Sequence, residues 1–283
     1  MRVSQGRSSM YATLSVLALA ATSSAFAQPK PRRTDAGAQV RSVLWVGNSF
    51  FYYNNSMHSH VAALGRELKP AVALRGVSVT ISGSGLDWHD VPSYLRPDGI
   101  GRYSFVGDNE IVFNKTGRQF DAVIMMDCSQ CPIHPQLKSI FHDKVKEHSA
   151  AVVKHGARPI LFMSWAYKEK PEMTAELAEQ YAMAGNANDA LVVPAGLAFA
   201  RAMAKRPGVE LYQADKRHPS LAGTYLAAAT VFTAVTGTSC ASSTYTAGLD
   251  PDLARFLRET AVETVREYYG AAPDRVRSQA GAK

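Results

Sequence analysis

The sequence has 283 residues, of which 46% are hydrophobic and 19% are charged. At roughly 100–200 residues per domain, this length suits one large domain or two small ones. Abundant apolar residues and the lack of a Gly or Pro period exclude a disordered chain, a coiled coil and a collagen-like fibre. The formal net charge of +7 is spread along the chain without a block of like charges, so no nucleic-acid partner is expected.

The N-terminal segment predicts export. Two arginines precede a short apolar run over 11–21, and a small-x-small pattern ends at Ala27. We interpret residues 1–27 as a cleaved signal peptide, which predicts a periplasmic or secreted protein. A retained anchor is the alternative. Spanning a bilayer takes roughly 20 apolar residues, and no stretch reaches that length, so we expect no stable membrane insertion.

The rest of the chain predicts one α/β domain over 41–270, between a flexible leader at 28–40 and a disordered tail at 271–283. Strands and helices alternate, which indicates a parallel sheet covered by helices on both faces. Residues 87–117 are weakly periodic and predict an excursion that shapes the wall of a pocket. The predicted strands are 42–46, 77–81, 122–126, 159–163 and 210–213, and the predicted helices are 56–68, 137–155, 173–186, 195–205, 221–235 and 253–269.

The first predicted strand ends in Gly47-Asn48-Ser49. This places the Ser49 hydroxyl at the carboxyl edge of the sheet, where open parallel sheets bind their ligands. Gly47 permits a tight turn, and backbone N–H groups at the start of a helix could hold a developing oxyanion. The alternative is that Ser49 only caps the turn.

A possible base and its partner follow the last predicted strand, in Asp215-Lys216-Arg217-His218. An Asp three residues before a His can accept the Nδ1 proton, which leaves Nε2 free to deprotonate a hydroxyl. The spacing alone is a weak signal, but Asp215 and Ser49 both fall at predicted carboxyl ends of strands. The alternative is that Asp215 caps the next helix and His218 is a surface residue.

These residues resemble the SGNH/GDSL hydrolase superfamily. Gly47-Asn48-Ser49 is similar to its first block, in the variant with Asn in place of Asp, and Ile81-Ser82-Gly83 is similar to its second block. The segment from Asp215 to Pro219 is similar to its last block, and the runs 192–196 and 218–228 resemble an exported bacterial branch. The resemblance covers about residues 42–237. It implies a three-layer α/β/α sandwich around a flavodoxin-like parallel sheet of about five strands.

The resemblance also implies roles for single residues. Ser49 would be the nucleophile, His218 the general base and Asp215 its orienting partner, with the N–H groups of Ser49 and Gly83 as oxyanion donors. The family usually places a side-chain donor after the third strand, where this sequence has Met126-Asp127. Neither side chain donates when Asp127 is ionised. Gln130 or Ser129 could reach in from the following loop, and we assign Gln130 as the candidate third donor. We assign three further residues to substrate binding, namely Asn48, Trp88 and Trp165.

Three cysteines allow at most one disulfide. The C-x-x-C of Cys128 and Cys131 lies in a predicted loop, which favours a structural disulfide or buried thiols over a redox centre. Pairing with Cys240 stays open. No spacing of His, Cys or acidic residues fixes a metal site, and we expect no cofactor.

The sequence therefore predicts an exported serine esterase that hydrolyses short acyl esters. Its substrate would be a small-molecule or glycan ester, acetylated carbohydrate included. The alternative is a carbohydrate-binding protein that kept the fold and lost catalysis, because the usual third oxyanion donor is missing. The oligomeric state is left open.

Overall fold

The short apolar runs of the sequence form a central parallel sheet. The computed structural model describes residues 29–37, 39–96, 103–113 and 118–270. Its strands are β1 (Ser42–Gly47), β2 (Arg75–Thr80), β3 (Tyr103–Gly107), β4 (Glu110–Phe113), β5 (Ala122–Met125), β6 (Arg158–Phe162) and β7 (Leu191–Val193). Five of them pair in parallel in the order β2-β1-β5-β6-β7, which is the flavodoxin-like arrangement. The predicted sheet of about five strands is confirmed.

Helices cover both faces of this sheet. They are α1 (Ser49–Tyr52), α2 (Met57–Arg66), α3 (Val91–Tyr94), α4 (Lys138–Lys154), α5 (Met173–Ala187), α6 (Ala195–Lys205), α7 (Leu221–Thr236) and α8 (Pro251–Tyr269). Side chains of β1 alternate between the faces. Val43 and Trp45 pack into the core under α2, α6, α7 and α8, whereas Leu44 and Val46 pack into the core under α4 and α5. The predicted three-layer architecture is therefore confirmed.

The fifth strand of the sheet differs from the prediction. It is β7 at Leu191–Val193, whereas the segment 210–213 makes only one bridge, between Tyr212 and Pro219. Leu211 and Tyr212 are buried, so this segment has the apolar signature of a strand without a place in the sheet. It forms instead the first arm of the loop that carries Asp215 and His218.

Part of the leader contacts the domain. The Arg33 guanidinium forms an ion pair with Asp189, and the side chain of Arg158 donates to the Ala36 carbonyl. Ala36 and Val40 are buried, whereas most of the other described leader residues are exposed. The flexibility of the leader stays a prediction.

Two predicted segments lie outside the described residues, the signal peptide at 1–27 and the tail at 271–283. The excursion after β2 is described in part. It holds a 3-10 turn at Leu86–Trp88, the short helix α3 and the antiparallel hairpin of β3 and β4. Among the described residues, no helix combines the length and apolar character needed to cross a membrane.

Close packing around α7 predicts the effect of a single methyl group. A Cβ at Gly223 would lie 2.2 Å from the Leu211 carbonyl oxygen, a backbone atom that has little room to move. We expect Gly223→Ala to lower the free energy of unfolding by about 1–3 kcal/mol, measured by urea denaturation. Gly208→Ala is the matched control, because no atom lies within 4 Å of its added Cβ, and it should cost nothing. Equal losses in the two variants would contradict this packing.

Candidate active site

Ser49, His218 and Asp215 form one hydrogen-bonded chain. Ser49 Oγ lies 2.8 Å from His218 Nε2, and His218 Nδ1 lies 2.5 Å from Asp215 Oδ2. A proton on Nδ1 donated to Asp215 leaves Nε2 as the acceptor for the serine hydroxyl. The structure thus brings together the three residues that the sequence singled out, although they lie up to 169 positions apart.

The loop of Asp215 and His218 folds back on itself. Asp215 Oδ1 accepts hydrogen bonds from the backbone N–H groups of Arg217, at 3.0 Å, and His218, at 2.9 Å. Lys216 adopts the left-handed conformation with φ of 63°, and the N–H of Gln213 donates to the His218 carbonyl at 2.8 Å. A tight turn, rather than the end of a strand in the sheet, therefore presents the imidazole.

These bonds set the charge of the carboxylate. Burial by itself raises the pKa of Asp215, but the hydrogen bonds from the His218 ring and from the two N–H groups outweigh it and lower the pKa to about 2. Asp215 is therefore a carboxylate throughout the neutral range, as an acceptor for an imidazole N–H must be.

Asn48 does not face a substrate, contrary to our assignment. Its side chain is only 5% exposed, and its Nδ2 donates to the carbonyls of Ser84, at 2.9 Å, and Asp127, at 3.2 Å. Its Oδ1 accepts from the N–H of Phe50 at 3.2 Å and caps α1. Both amide hydrogens and the oxygen are thus occupied in joining the loops after β1, β2 and β5.

Trp165 was also assigned to the substrate and lies elsewhere. It is fully buried and stacked between Phe50 and Phe199, with ring centroids 4.6 Å and 4.2 Å away. Its Nε1–H donates to the Arg217 carbonyl at 3.0 Å, so this core side chain anchors the loop of His218. Trp88 differs, because it is 60% exposed and free to contact a ligand.

The N–H groups of Ser49 and Gly83 are the predicted oxyanion donors. Gly83 has φ of 71°, and no atom lies within 4 Å of a Cβ built there. Within the described residues, the N–H groups of Ser49 and Gly83 have no hydrogen-bond acceptor. The side chain of Gln130 is half-buried and has no hydrogen-bond partner among the described residues. The role of these three groups as oxyanion donors stays a prediction.

The Asp127 side chain accepts hydrogen bonds from two loops and donates none. It is 3% exposed, and its Oδ1 accepts from the N–H groups of Leu86, at 2.9 Å, and Cys128, at 2.7 Å. Burial raises the pKa of Asp127 to about 6, although these two bonds lower it in part. Its carboxylate ties the loop before α3 to the loop after β5.

A disulfide joins Cys128 to Cys131, and Cys240 is a buried free thiol. The bridge closes the short loop that carries Ser129 and Gln130, and Ser129 Oγ lies 2.7 Å from the hydroxyl of Tyr167. Asp127 stands beside both sulfur atoms, but sulfurs bonded to each other offer no thiolate to a metal.

Two aromatic rings contact His218, and the sequence analysis did not predict either contact. The Tyr53 ring stacks on the imidazole with centroids 4.4 Å apart and planes 13° apart, and the Phe50 ring meets it edge to face at 5.4 Å. The signal was present, because Tyr53 lies four positions after Ser49 and one helical turn brings such residues to the same side.

The raised pKa of Asp127 predicts pH-dependent stability. A carboxyl group with a pKa near 4 in the unfolded chain and about 6 in the folded chain binds its proton more tightly when folded. The protonated carboxyl group therefore contributes fully to the free energy of unfolding below pH 4, and this contribution is lost as the pH rises through 6. Between pH 4 and 7, wild type should therefore lose roughly 1–3 kcal/mol of unfolding free energy relative to Asp127→Asn.

Urea unfolding at several pH values measures this difference. Asp143→Asn, at an exposed position of α4, is the control and should retain the wild-type slope. Parallel pH profiles for wild type and Asp127→Asn would contradict the prediction.

Comparison with known proteins supports the fold. No protein-family model and no curated protein matches the sequence. A DUF4886 family protein from Bacteroides uniformis is 18% identical with a TM-score of 0.55, and the match covers 82% of this chain and 97% of that one. A catalytic mutant of an acetylxylan esterase from Geobacillus stearothermophilus is 14% identical with a TM-score of 0.50, over 75% and 95%. A protein from Slackia heliotrinireducens, provisionally described as an SGNH hydrolase, is 23% identical with a TM-score of 0.49, over 69% and 99%. At these identities the likeness concerns the fold alone, and the chain shares the three-layer α/β/α fold of the Bacteroides and Geobacillus proteins.

Proposed function

We propose that this protein is an exported serine esterase that hydrolyses short-chain acyl esters. One observation carries the proposal: a serine hydroxyl at the carboxyl end of β1 lies 2.8 Å from an imidazole nitrogen whose other nitrogen is bonded to a carboxylate. A serine hydroxyl is a weak nucleophile until such a base removes its proton. The likeness in fold to an acetylxylan esterase agrees with this chemistry.

The first half of the reaction acylates Ser49. As Oγ attacks the ester carbon, its proton passes to His218 Nε2, and the carbonyl oxygen becomes an oxyanion. The N–H groups of Ser49 and Gly83, with the Gln130 side chain as third donor, would stabilise that charge. The bond to the alkoxy oxygen then breaks, and His218 gives its proton to the departing alcohol.

The second half restores the enzyme. Water attacks the acyl carbon and loses a proton to His218 Nε2, and the resulting intermediate releases the carboxylic acid as Ser49 Oγ takes the proton back. Asp215 accepts the Nδ1–H bond in both halves. It stays ionised and stabilises the imidazolium that forms each time.

Export and the surface of the protein suggest acetylated carbohydrate as a substrate. The signal-peptide pattern predicts a periplasmic or secreted location, and the Cys128–Cys131 disulfide suits an oxidising compartment. Trp88 is exposed and offers a ring on which a sugar could stack.

If the signal is cleaved as proposed, N-terminal sequencing of the exported protein should begin at Gln28.

Hydrolysis of p-nitrophenyl acetate tests the three roles. We expect Ser49→Ala and His218→Ala to lower kcat by about 10⁴- to 10⁶-fold, because each removes a step of proton or acyl transfer. Asp215→Asn should lower kcat by about 10⁴-fold, because the amide can hold the wrong imidazole tautomer. Fluorophosphonate should label wild type and fail to label Ser49→Ala.

Matched variants separate catalysis from folding. Ser242→Ala changes an exposed serine, and His155→Ala changes a histidine at the end of α4, so both should retain wild-type activity. A Ser49→Ala variant that kept full activity would remove the assignment.

The residues after β5 favour one second candidate, a carbohydrate-binding protein with little or no catalysis. Met126 is fully buried and Asp127 accepts two N–H bonds, so neither donates to an oxyanion. Losing one such donor typically lowers turnover about 100- to 1000-fold. This candidate predicts saturable binding of xylo-oligosaccharides without fluorophosphonate labelling, whereas labelling that depends on Ser49 rejects it.

A further inference from the structure

The imidazole of His218 lies between two aromatic rings. Tyr53 stacks on one face nearly in parallel, and Phe50 approaches edge to face. Phe50 is itself the first ring of a column that continues through Trp165 to Phe199. The Phe50 side is thus part of the core, whereas Tyr53 is half-buried and also stacks on the exposed Tyr52, with ring centroids 5.7 Å apart.

The backbone directly after Tyr53 has an unfavourable conformation. The next three residues, Asn54, Asn55 and Ser56, all have φ between 54° and 68°, in the left-handed region. Each such residue costs about 1–2 kcal/mol unless its surroundings stabilise it. Three in succession reverse the chain directly after the Tyr53 N–H has bonded to the Ser49 carbonyl, at 3.1 Å.

Asn54 then ties this reversed segment to the loop of the base. Its Nδ2 donates to the Pro219 carbonyl at 3.0 Å and to Thr224 Oγ1 at 2.8 Å. Its own carbonyl accepts from His60 Nε2 at 2.6 Å. Because Pro219 follows His218 directly, Asn54 fixes the distance between the Tyr53 segment and the imidazole.

Building on the proposed hydrolase function, we propose that Tyr53 is a positioning residue for His218, held in place by Asn54. The stacked ring fixes the imidazole plane with Nε2 toward Ser49. Its negative face also lies against the imidazolium that forms when Ser49 is deprotonated, which is the attraction of a cation for an aromatic ring. This second effect acts on the charged histidine and so favours the transition state over the ground state.

Few other charges act on this imidazole. Asp215 bonds its Nδ1, and Ser49 faces its Nε2. Of the two cations in the same loop, Lys216 pairs with Glu169, and Arg217 lies over the ring of Tyr167, 4.9 Å from its centroid. Phe50, in the element packed on the other side, is uncharged. Among the described residues whose side chains contact the imidazole, the Tyr53 hydroxyl is the remaining titratable group. Tyr53→Phe removes this hydroxyl and keeps the ring.

The test compares Tyr53→Leu with Tyr53→Phe in the full-length protein, with p-nitrophenyl acetate from pH 5 to 9. We expect Tyr53→Leu to lower kcat by about 2- to 30-fold with little change in KM. An effect on kcat without an effect on KM separates positioning of the imidazole from weaker substrate binding. Tyr53→Phe keeps the ring and should retain wild-type kcat. A Tyr53→Leu variant with wild-type kcat overturns the proposal.

Asn54 supplies a second arm should Tyr53→Leu fail to fold. Asn54→Gly keeps the left-handed backbone and removes the side-chain tether, so it should also lower kcat with little change in KM. Asn55→Gly is its matched control, because Asn55 has the same backbone conformation, is exposed and has no side-chain hydrogen bond to the described residues. Equal behaviour of the two glycine variants overturns the role of Asn54.

A direct readout separates this inference from the proposed function. If wild type shows no turnover and no labelling, the esterase proposal fails, and the stacking is still measured by ¹H NMR of the His218 ring protons. The ring current of a stacked aromatic side chain should shift these resonances upfield in wild type and Tyr53→Phe relative to Tyr53→Leu. Identical His218 ring resonances in all three proteins overturn the positioning role whatever the activity.

Discussion

The site depends on the three hydrogen bonds of the Asn48 side chain. They join the start of α1 to Ser84, in the loop after β2, and to Asp127, in the loop after β5. In this sheet β2 and β5 lie on opposite sides of β1, which makes the end of β1 the topological switch point. A buried amide left without partners costs about 1–3 kcal/mol. Moving any one of the three loops away would leave part of the Asn48 amide unpaired, so each loop helps to hold the other two. The positions of Ser49 and Gly83 follow from this network.

The imidazole reaches Ser49 from a loop and not from the end of a strand in the sheet, so side chains must supply the rigidity that a strand would have given. Trp165 holds the Arg217 carbonyl, Asp215 bonds two N–H groups of its own loop, and Asn54 bonds the Pro219 carbonyl. These anchors come from three separate parts of the chain. The base is therefore fixed by tertiary contacts on several sides, which suits a group that must remain within hydrogen-bond distance of a hydroxyl.

Local signals in the sequence predicted most of the sheet and the grouping of Ser49, Asp215 and His218, and long-range contacts decided where the prediction was wrong. Apolar runs such as 42–46 and helical patterns such as 221–235 express periodicities that a single segment contains. The segment 191–193 is too short to show a period, whereas 210–213 is apolar because Leu211 and Tyr212 pack on the core. Trp165 and Asn48 were assigned to substrate binding. Trp165 instead stacks on Phe199, and Asn48 bonds the carbonyls of Ser84 and Asp127. These partners lie 34 or more positions away, so no local spacing reports them.

The same network explains why a carboxylate can stand where the family usually has a side-chain donor. Asp127 accepts from the N–H groups of Leu86 and Cys128, so two backbone donors that would otherwise be buried without acceptors are bonded. Both bonds end on Oδ1, so an amide at this position would keep that acceptor and place an NH₂ group where Oδ2 has no hydrogen bond to the described residues. In the proposed esterase, an oxyanion would then depend on backbone N–H groups and on the loop of Gln130. The Cys128–Cys131 bridge closes that loop, which limits how far the Gln130 side chain can move.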